Sequence, residues 1–392
     1  MDLRDSPDQA EFRQGLREWI GANLPKGWGT PAWRWPEDRV AFLKDWSRRL
    51  YDAGYSGMAW PREYGGRGAP LTLQAIAYEE FARSDAPEHV GLIGIGMAGP
   101  TIISVGSEDQ KRRYLERILT GEEVWCQGFS EPGAGSDLAS LQTRAVPDGD
   151  GWRITGQKVW SSFAHFADRC ILLARTDPDA PKHQGITYFL VDMRAAGVET
   201  RPLRQITGEA EFNEIFLDGV YVPAGDVVGE VNGGWQVAIT TLLHERGSTA
   251  FFLLGRLERN LQRLLALAGE TRRNRRLAAD DPIVRDRVAA SFTDLQAMRF
   301  TSWRALSDLM QKGLPGPEGS IIKLHWSEAN QRLGRLALDI LGPDAALAGA
   351  EEGLGFWQQQ ALRSRGNTIE AGTSEVLRNI IAERVLGLPR SR

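Results

Sequence analysis

The residues best suited to chemistry lie between Cys126 and Phe163, CQGFSEPGAGSDLASLQTRAVPDGDGWRITGQKVWSSF. A polar approach, Gln127-Gly128-Phe129-Ser130, runs into the turn Glu131-Pro132-Gly133-Ala134-Gly135-Ser136-Asp137, and two β-like runs follow. Pro132, Gly133 and Gly135 let the backbone bend sharply and bring its N–H groups close to a ligand. Ser130, Ser136, Ser161 and Ser162 add small hydroxyls, and Trp160 adds a broad aromatic plane. Amides, hydroxyls and one flat ring suit a planar heteroaromatic cofactor that carries phosphate. Composition alone is equally consistent with a polar surface loop between strands. Near the C-terminus, Gly372 precedes Thr373 and Ser374 at the start of an apolar-faced helix, a good place for an anion or simply an ordinary N-cap. The two cysteines, Cys126 and Cys170, cannot build a disulfide framework and lack metal-ligand spacing.

The pair SEPGAGSD and GQKVWSS resembles the flavin-binding signature of the acyl-CoA dehydrogenase family, and the resemblance spans almost the whole chain. It implies FAD as cofactor, an acyl-CoA as substrate and an electron-transfer flavoprotein as electron acceptor. By position, Phe129 and Ser130 would touch the flavin ring edge, and Trp160 would lie against the ring face. Ser162 would sit near the reactive nitrogen with Ser161 beside it, and Ser136 would reach both cofactor and acyl-CoA. Thr373 and Glu375 would lie at the flavin pyrophosphate. One arginine of Arg272, Arg273, Arg275 and Arg276, best matched by Arg276, would hold the pyrophosphate of a neighbouring subunit's flavin. The family also sets Leu341-Gly342-Pro343 against the neighbour's adenine. Here Asp339 replaces the usual amide side chain just before it, which puts that contact in doubt.

Family members remove a proton next to a thioester carbonyl and pass a hydride from the next carbon to flavin. That chemistry needs a carboxylate base and donors for the developing enolate oxygen. Backbone N–H near Ala371 and Gly372 would supply one donor, and the flavin ribityl hydroxyl the other. Many members carry the base just before Gly-Thr-Ser, where this chain has Ala371. Glu370 is one residue off, which redirects a side chain by about 100° in helical geometry. A minority of the family places the base on a long helix before an Arg, and Glu245-Arg246 in LLHERGST fits that pattern. Glu245 is therefore the expected base, Glu370 the alternative, and Arg246 an expected substrate contact. Against this, a helix carboxylate beside an arginine is often only a salt bridge.

The elements that must position these groups read as helical, β, helical. Ser6, Pro7 and Gln9 predict a helix start, and Phe12, Leu16, Trp19 and Ile20 fall on one face. Further helices are expected from near Pro36 to Gly54, over 72–84, and over 107–119 behind a second Ser-x-x-Gln box (Ser107, Gln110). Gly91, Gly94, Gly96, Ala98 and Gly99 leave one helix face nearly bare, for close packing or for a bulky acyl chain. Short β-type runs separated by turns occupy 122–233 and argue an antiparallel β-domain. Helical periodicity then predicts helices at 234–268, 282–312, 317–341 and 373–386. The expected fold is α+β: an N-terminal α-helical domain (1–121), a central antiparallel, barrel-like β-domain (122–233) and a C-terminal four-helix bundle (234–392).

A chain of 392 residues with net charge −4 has room for a sizeable core and no basic surplus for nucleic acid or an anionic membrane. No apolar run approaches membrane-spanning length, so a soluble cytoplasmic protein is expected. The resemblance implies at least a homodimer, with a homotetramer or hetero-oligomer open. Two rivals remain: an oxygen-using flavin monooxygenase or oxidase on the same fold, kept alive by Ala371, and a structural subunit of a hetero-oligomeric dehydrogenase.

Overall fold

The computed structural model describes residues 4–29, 33–248, 250–273, 275–312, 316–347 and 355–389, with backbone only for 245–248 and 312. The chain begins with α1 (Pro7–Asn23), α2 (Arg39–Asp52), α3 (Leu71–Ser84), α4 (Gly99–Val105) and α5 (Glu108–Thr120). Strands follow: β1 (Trp125–Gly128), β2 (Arg144–Asp148), β3 (Gly151–Ser162), β4 (Arg169–Arg175), β5 (Ile186–Asp192), β6 (Val198–Leu203), β7 (Phe212–Pro223) and β8 (Val227–Val228). Next come α6 (Gly234–Ser248), α7 (Ala250–Glu270) and the short hairpin β9 (Arg272–Arg273) and β10 (Arg276–Leu277). Last are α8 (Pro282–Lys312), α9 (Glu318–Leu341), α10 (Phe356–Asn367) and α11 (Ser374–Ile380).

Local chemistry sets several boundaries. Both Ser-x-x-Gln boxes close: Ser6 Oγ accepts from Gln9 N at 3.3 Å while Gln9 Oε1 accepts from Ser6 N at 2.9 Å. Ser107 and Gln110 repeat this at 3.2 and 3.1 Å. Such a cap is worth about 1 kcal/mol. α2 starts at Arg39 rather than near Pro36, because the Asp38 carboxylate caps Ala41 N at 2.8 Å. α10 has no counterpart in the periodicity reading. Gly355, its N-cap, has no capping side chain, and two of its buried residues, Ala361 and Ser364, are small. β2 and β6 also lacked a clear strand signal: each contains a proline, Pro147 or Pro202, and two charged residues, Arg144 and Asp148 or Glu199 and Arg201. β6 is an edge strand, and β2 meets β4 only at Arg144–Arg175.

The described residues form two compact units. One comprises Gly27–Pro70 and Pro87–Glu245 and contains an eight-stranded sheet in the order β6-β7-β3-β2-β4-β5-β8, with β1 on β4. Most pairings are antiparallel. The β1–β4 and β2–β4 pairings are parallel, which hairpins cannot produce, because long connections precede β4. β4, RCILLAR, reads as a continuous apolar run because both of its faces are covered. Ile171 and Leu173 join a core with Trp60, Ile102, Ile118 and Trp125, while Cys170 and Leu172 join Ile154, Phe189 and Ile215 on the other face. Cys126 and Cys170 are free, buried thiols.

The other unit comprises Met1–Lys26, Leu71–Ala86 and Arg246–Arg392. On α7, Leu254, Leu257, Leu261 and Leu264 recur at helical spacing and pack with Leu295, Met298, Leu333, Leu336 and Ile340. Each such buried side chain contributes roughly 1.5–3 kcal/mol. Gly255 lets α7 lie against α3: a Cβ there would be 2.6 Å from Ala82 Cβ. Arg13 on α1 reaches Glu79 and Glu80 of α3 at 2.7 and 2.5 Å, tying α1 to the same assembly.

Candidate active site

The turn after β1 is built around a buried ion pair. Glu131 and Ala134 exchange backbone hydrogen bonds at 2.9 and 3.0 Å, which closes the turn. The Glu131 carboxylate is buried; it accepts from Gln142 N at 2.6 Å, Thr143 N at 2.8 Å and Lys158 Nζ at 2.8 Å. Lys158, fully buried on β3, also donates to Phe129 O at 3.2 Å. Burial pushes the Lys158 ammonium below its usual range while the Glu131 charge opposes this. Burial likewise pushes the Glu131 carboxyl up, but the Lys158 charge and the hydrogen bonds leave it below the ordinary value. The pair staples β3 to residues 129–134.

Beyond this staple the surface is open. A Cβ on Gly133 or Gly135 would meet no atom within 4 Å. The β3–β7 register shifts between Lys158 and Ser161, and Trp160 takes a left-handed φ of 62° that leaves its indole 61 % exposed. Ser136 is exposed, and Ser130 and Ser162 are half-buried. An exposed aromatic plane, three hydroxyls and a glycine turn fit a ring-bearing, phosphate-bearing cofactor. Two of the expected contact residues have buried side chains. Ser161 is turned inward, 1 % exposed, its Oγ without a hydrogen-bond partner, so its side chain is not offered to a ligand. The Phe129 ring is core, edge-on to Tyr188 at 5.9 Å, so only backbone is left for contact.

In the other unit, the segment before α11 is held just as firmly. Lys323 Nζ on α9 donates to Asn367 O at 2.8 Å and Gly372 O at 2.7 Å. Ala371 (φ 52°) and Gly372 (φ 96°) are both left-handed, which for Ala371 costs about 1–2 kcal/mol that these bonds must offset. Thr373 caps α11 through Val376 N at 3.2 Å. Ser374 is buried with an unpartnered Oγ and lines a cavity of about 450 Å³ with Gln331, Arg335, Thr373, Glu375 and Arg378. These hydroxyls and guanidiniums suit a phosphate-bearing ligand, while Glu328, which also lines the cavity, pairs with Arg378. Glu375 is exposed, and its own backbone amide, then Thr373, lower its carboxyl pKa. Glu370 does not present a free carboxylate: Arg363 grips it at 3.2 and 3.0 Å and Asn367 donates to it at 2.7 Å. Arg272, Arg273, Arg275 and Arg276 crowd the β9–β10 hairpin, exposed and without an ion pair among the described residues. Asp339 is taken by Arg287 at 2.6 Å.

The Glu245 and Arg246 side chains lie outside the described residues; their backbone continues α6. α6 is fixed by Thr241, whose Oγ1 donates to Val237 O at 3.0 Å and lies 2.8 Å from Thr101 Oγ1 and 3.2 Å from Tyr188 Oη. Position 245 is one helical turn beyond Thr241 and so shares its face. The bare glycine face resolves into two kinds of position. A Cβ on Gly94 would be 2.9 Å from Ile118 and one on Gly99 2.0 Å from Trp60, whereas Gly96 faces open space. Close packing accounts for the first two.

Sequence reasoning missed Lys158, Lys323 and Arg363. The signal for Lys158 was a lone cation inside a β-run; the other two act across distances in sequence that no local pattern marks. Among the described residues no cluster could hold a metal ion and no helix is long and apolar enough to cross a membrane.

Three family models match the chain in order: the acyl-CoA dehydrogenase N-terminal domain at residues 6–122, the middle domain at 126–220 and the C-terminal domain at 232–386. Acyl-CoA dehydrogenase IpdE1 of Mycobacterium tuberculosis is 43 % identical over 98 % of each chain. Among solved structures, the Tcur3481-Tcur3483 steroid ACAD superposes with a TM-score of 0.86 at 34 % identity over the whole of both chains. The ChsE4-ChsE5 complex from Mycobacterium tuberculosis gives 0.86 at 30 % identity, again over the whole of both chains. Acyl-CoA dehydrogenases use FAD, and the surfaces described above suit it. The chain belongs to the acyl-CoA dehydrogenase family and is an FAD-dependent oxidoreductase of that family.

Proposed function

We propose that the protein introduces an α,β double bond into an acyl-CoA thioester, with Glu245 as the base that removes the α-proton. The observation that carries this reading is the state of the rival carboxylate. Glu370 is locked to Arg363 and Asn367, and the residue next to it is Ala371, so the segment before α11 offers no free base. Residue 245 instead extends the face of α6 that Thr241 anchors. The Ala371 N–H, on a segment pinned by Lys323, polarises the thioester carbonyl and acidifies the α-carbon. Ser136, Arg246 and Gly372 take part in holding the thioester. Trp160, Ser130, Ser162 and Ser136 hold the ring side of the cofactor. Thr373 and Glu375, with Arg276 of a neighbouring chain, flank its phosphates. Bound FAD supplies the hydride acceptor, and an electron-transfer flavoprotein relieves it of electrons.

The open position at Gly96 and the likeness to a steroid ACAD support a bulky, ring-bearing acyl group. Both structural neighbours pair two named chains, which supports assembly with a second, related subunit rather than a lone monomer. The test is anaerobic bleaching of the flavin band by a panel of acyl-CoA thioesters. Wild type and Glu370→Gln should bleach, and Glu245→Gln should be slowed by at least about a thousandfold, as expected for loss of a general base. The reverse pattern would move the base to Glu370.

A further inference from the structure

α4 and α6 face each other through two successive polar rungs. The inner rung, Thr101 with Thr241, is fully buried and closed by Tyr188 and Val237 O. Three residues further along both helices comes Ser104 with His244, Oγ to Nε2 at 3.3 Å. This outer rung is not closed. Ser104 is exposed, His244 is half-buried, and among the described residues His244 Nδ1 has no hydrogen-bond partner. Burial holds the imidazole below its ordinary pKa, so at neutral pH it is uncharged and can both donate and accept.

The position of this rung gives it a role. His244 directly precedes Glu245, and the rung lies on the α6 face that Thr241 defines. With Glu245 as the base proposed above, the acyl group lies beside this rung. A hydrocarbon pressed there would strip water from two polar groups and give nothing back, while an oxygen-bearing group would replace the lost hydrogen bonds. We propose that the substrate's acyl group carries a hydroxyl or oxo oxygen that is bound by His244 and Ser104. This rests on the acyl-CoA dehydrogenation proposed above and specifies its substrate class. His244 is then a specificity-determining residue, not a base.

The experiment compares matched thioesters on the full-length, FAD-loaded protein without oxygen: 3-cyclohexylpropionyl-CoA against its 2-, 3- and 4-oxo and hydroxy analogues. The readout is kcat/KM for flavin reduction. Wild type should favour the best oxygenated analogue by roughly 10- to 100-fold, the size expected for one or two hydrogen bonds to a buried partner. His244→Leu should lose most of that preference, chiefly through KM and by gaining on the hydrocarbon, with FAD content unchanged. Ser104→Ala should lose part of it and serves as the second variant if His244→Leu folds poorly. Equal reduction by the plain and oxygenated thioesters, or an unchanged ratio in both variants, would overturn the proposal and leave dehydrogenation standing. Reduction by none of them while another thioester of the wider panel bleaches the flavin would overturn this proposal alone, and no reduction by any thioester would overturn both.

Discussion

Replacing Lys158 with Met removes the only cation that faces the buried Glu131 carboxylate among the described contacts, while keeping most of the side-chain volume. Glu131 keeps its bonds from Gln142 N and Thr143 N, but its charge is left in a site only 7 % exposed. Breaking a buried pair from one side typically costs about 3–5 kcal/mol. Set against a total stability of about 5–15 kcal/mol, that is a large fraction. At about 1.2 °C per kcal/mol for a chain of this size, the melting temperature should fall by roughly 4–6 °C. The same change frees Phe129 O and unpins the turn that carries Ser130 and Ser136, so FAD should be lost more readily on dilution. Removing both charges, as Glu131→Gln with Lys158→Met, should recover at least half of the stability, because no unpaired charge remains. Thermal unfolding of apo and FAD-loaded protein, with a fluorescence assay for released flavin, reads both effects. A single variant that melts within a degree of wild type and retains FAD would refute the reasoning, as would a double variant no more stable than the single.

Other predictions follow from neighbouring features. His89 is buried, its Nε2 3.1 Å from Leu119 O and its Nδ1 accepting from Gly91 N, and burial pushes its pKa down to about 4. The unfolded chain therefore binds the extra proton first, so this contribution is intact above about pH 6.5 and is lost as pH falls toward 4; about 2 kcal/mol should disappear between pH 7 and pH 5. Denaturant titrations at both pH values should show that loss in wild type and a shallower one in His89→Gln. Gly99→Ala should destabilise by about 1–3 kcal/mol through its collision with Trp60, whereas Gly96→Ala, facing open space, should be neutral or better. Calorimetry that finds the two equal would remove the distinction drawn between these glycines. Arg276→Ala should weaken FAD binding by about 10- to 100-fold, the worth of one charge-assisted bond, measured by flavin titration of the apoprotein. A loss no greater than that of Arg272→Ala would reassign the phosphate contact.

What was legible in the sequence was local or strongly periodic. The Ser6 and Ser107 caps, the leucine stripe of α7 and the apolar strand β4 each announce themselves within a few residues. The helical, β, helical order and the two flavin motifs were readable for the same reason. The strands carrying Pro147 and Pro202 were hidden, since their pairing is imposed by neighbours rather than by their own propensity. The hydroxyls of the flavin motif were not separated by face: along β3 the Trp160 indole points outward and the next side chain, Ser161, inward, as a strand alternates. Glu370 looked available as a base because Arg363, which occupies it, is seven positions away across the end of α10. Gly94, Gly96 and Gly99 looked alike, although only the partners Ile118 and Trp60 separate packing glycines from an open one.

The placement of α1 and α3 has a consequence for biosynthesis. Both helices pack in the unit whose long helix, α7, begins only at Ala250, whereas α3 ends at Ser84. At roughly 5–20 residues per second, the ribosome needs roughly 10–30 s to deliver the partner surface. By the end of that interval the sheet-bearing unit is complete as far as Glu245, while Ala75 and Ala82 on α3 still lack their cover. The nascent chain thus carries exposed apolar helix faces through a large part of its own synthesis. A holdase that shields amphipathic helices would act in that window, and a translational pause placed before residue 250 would lengthen it.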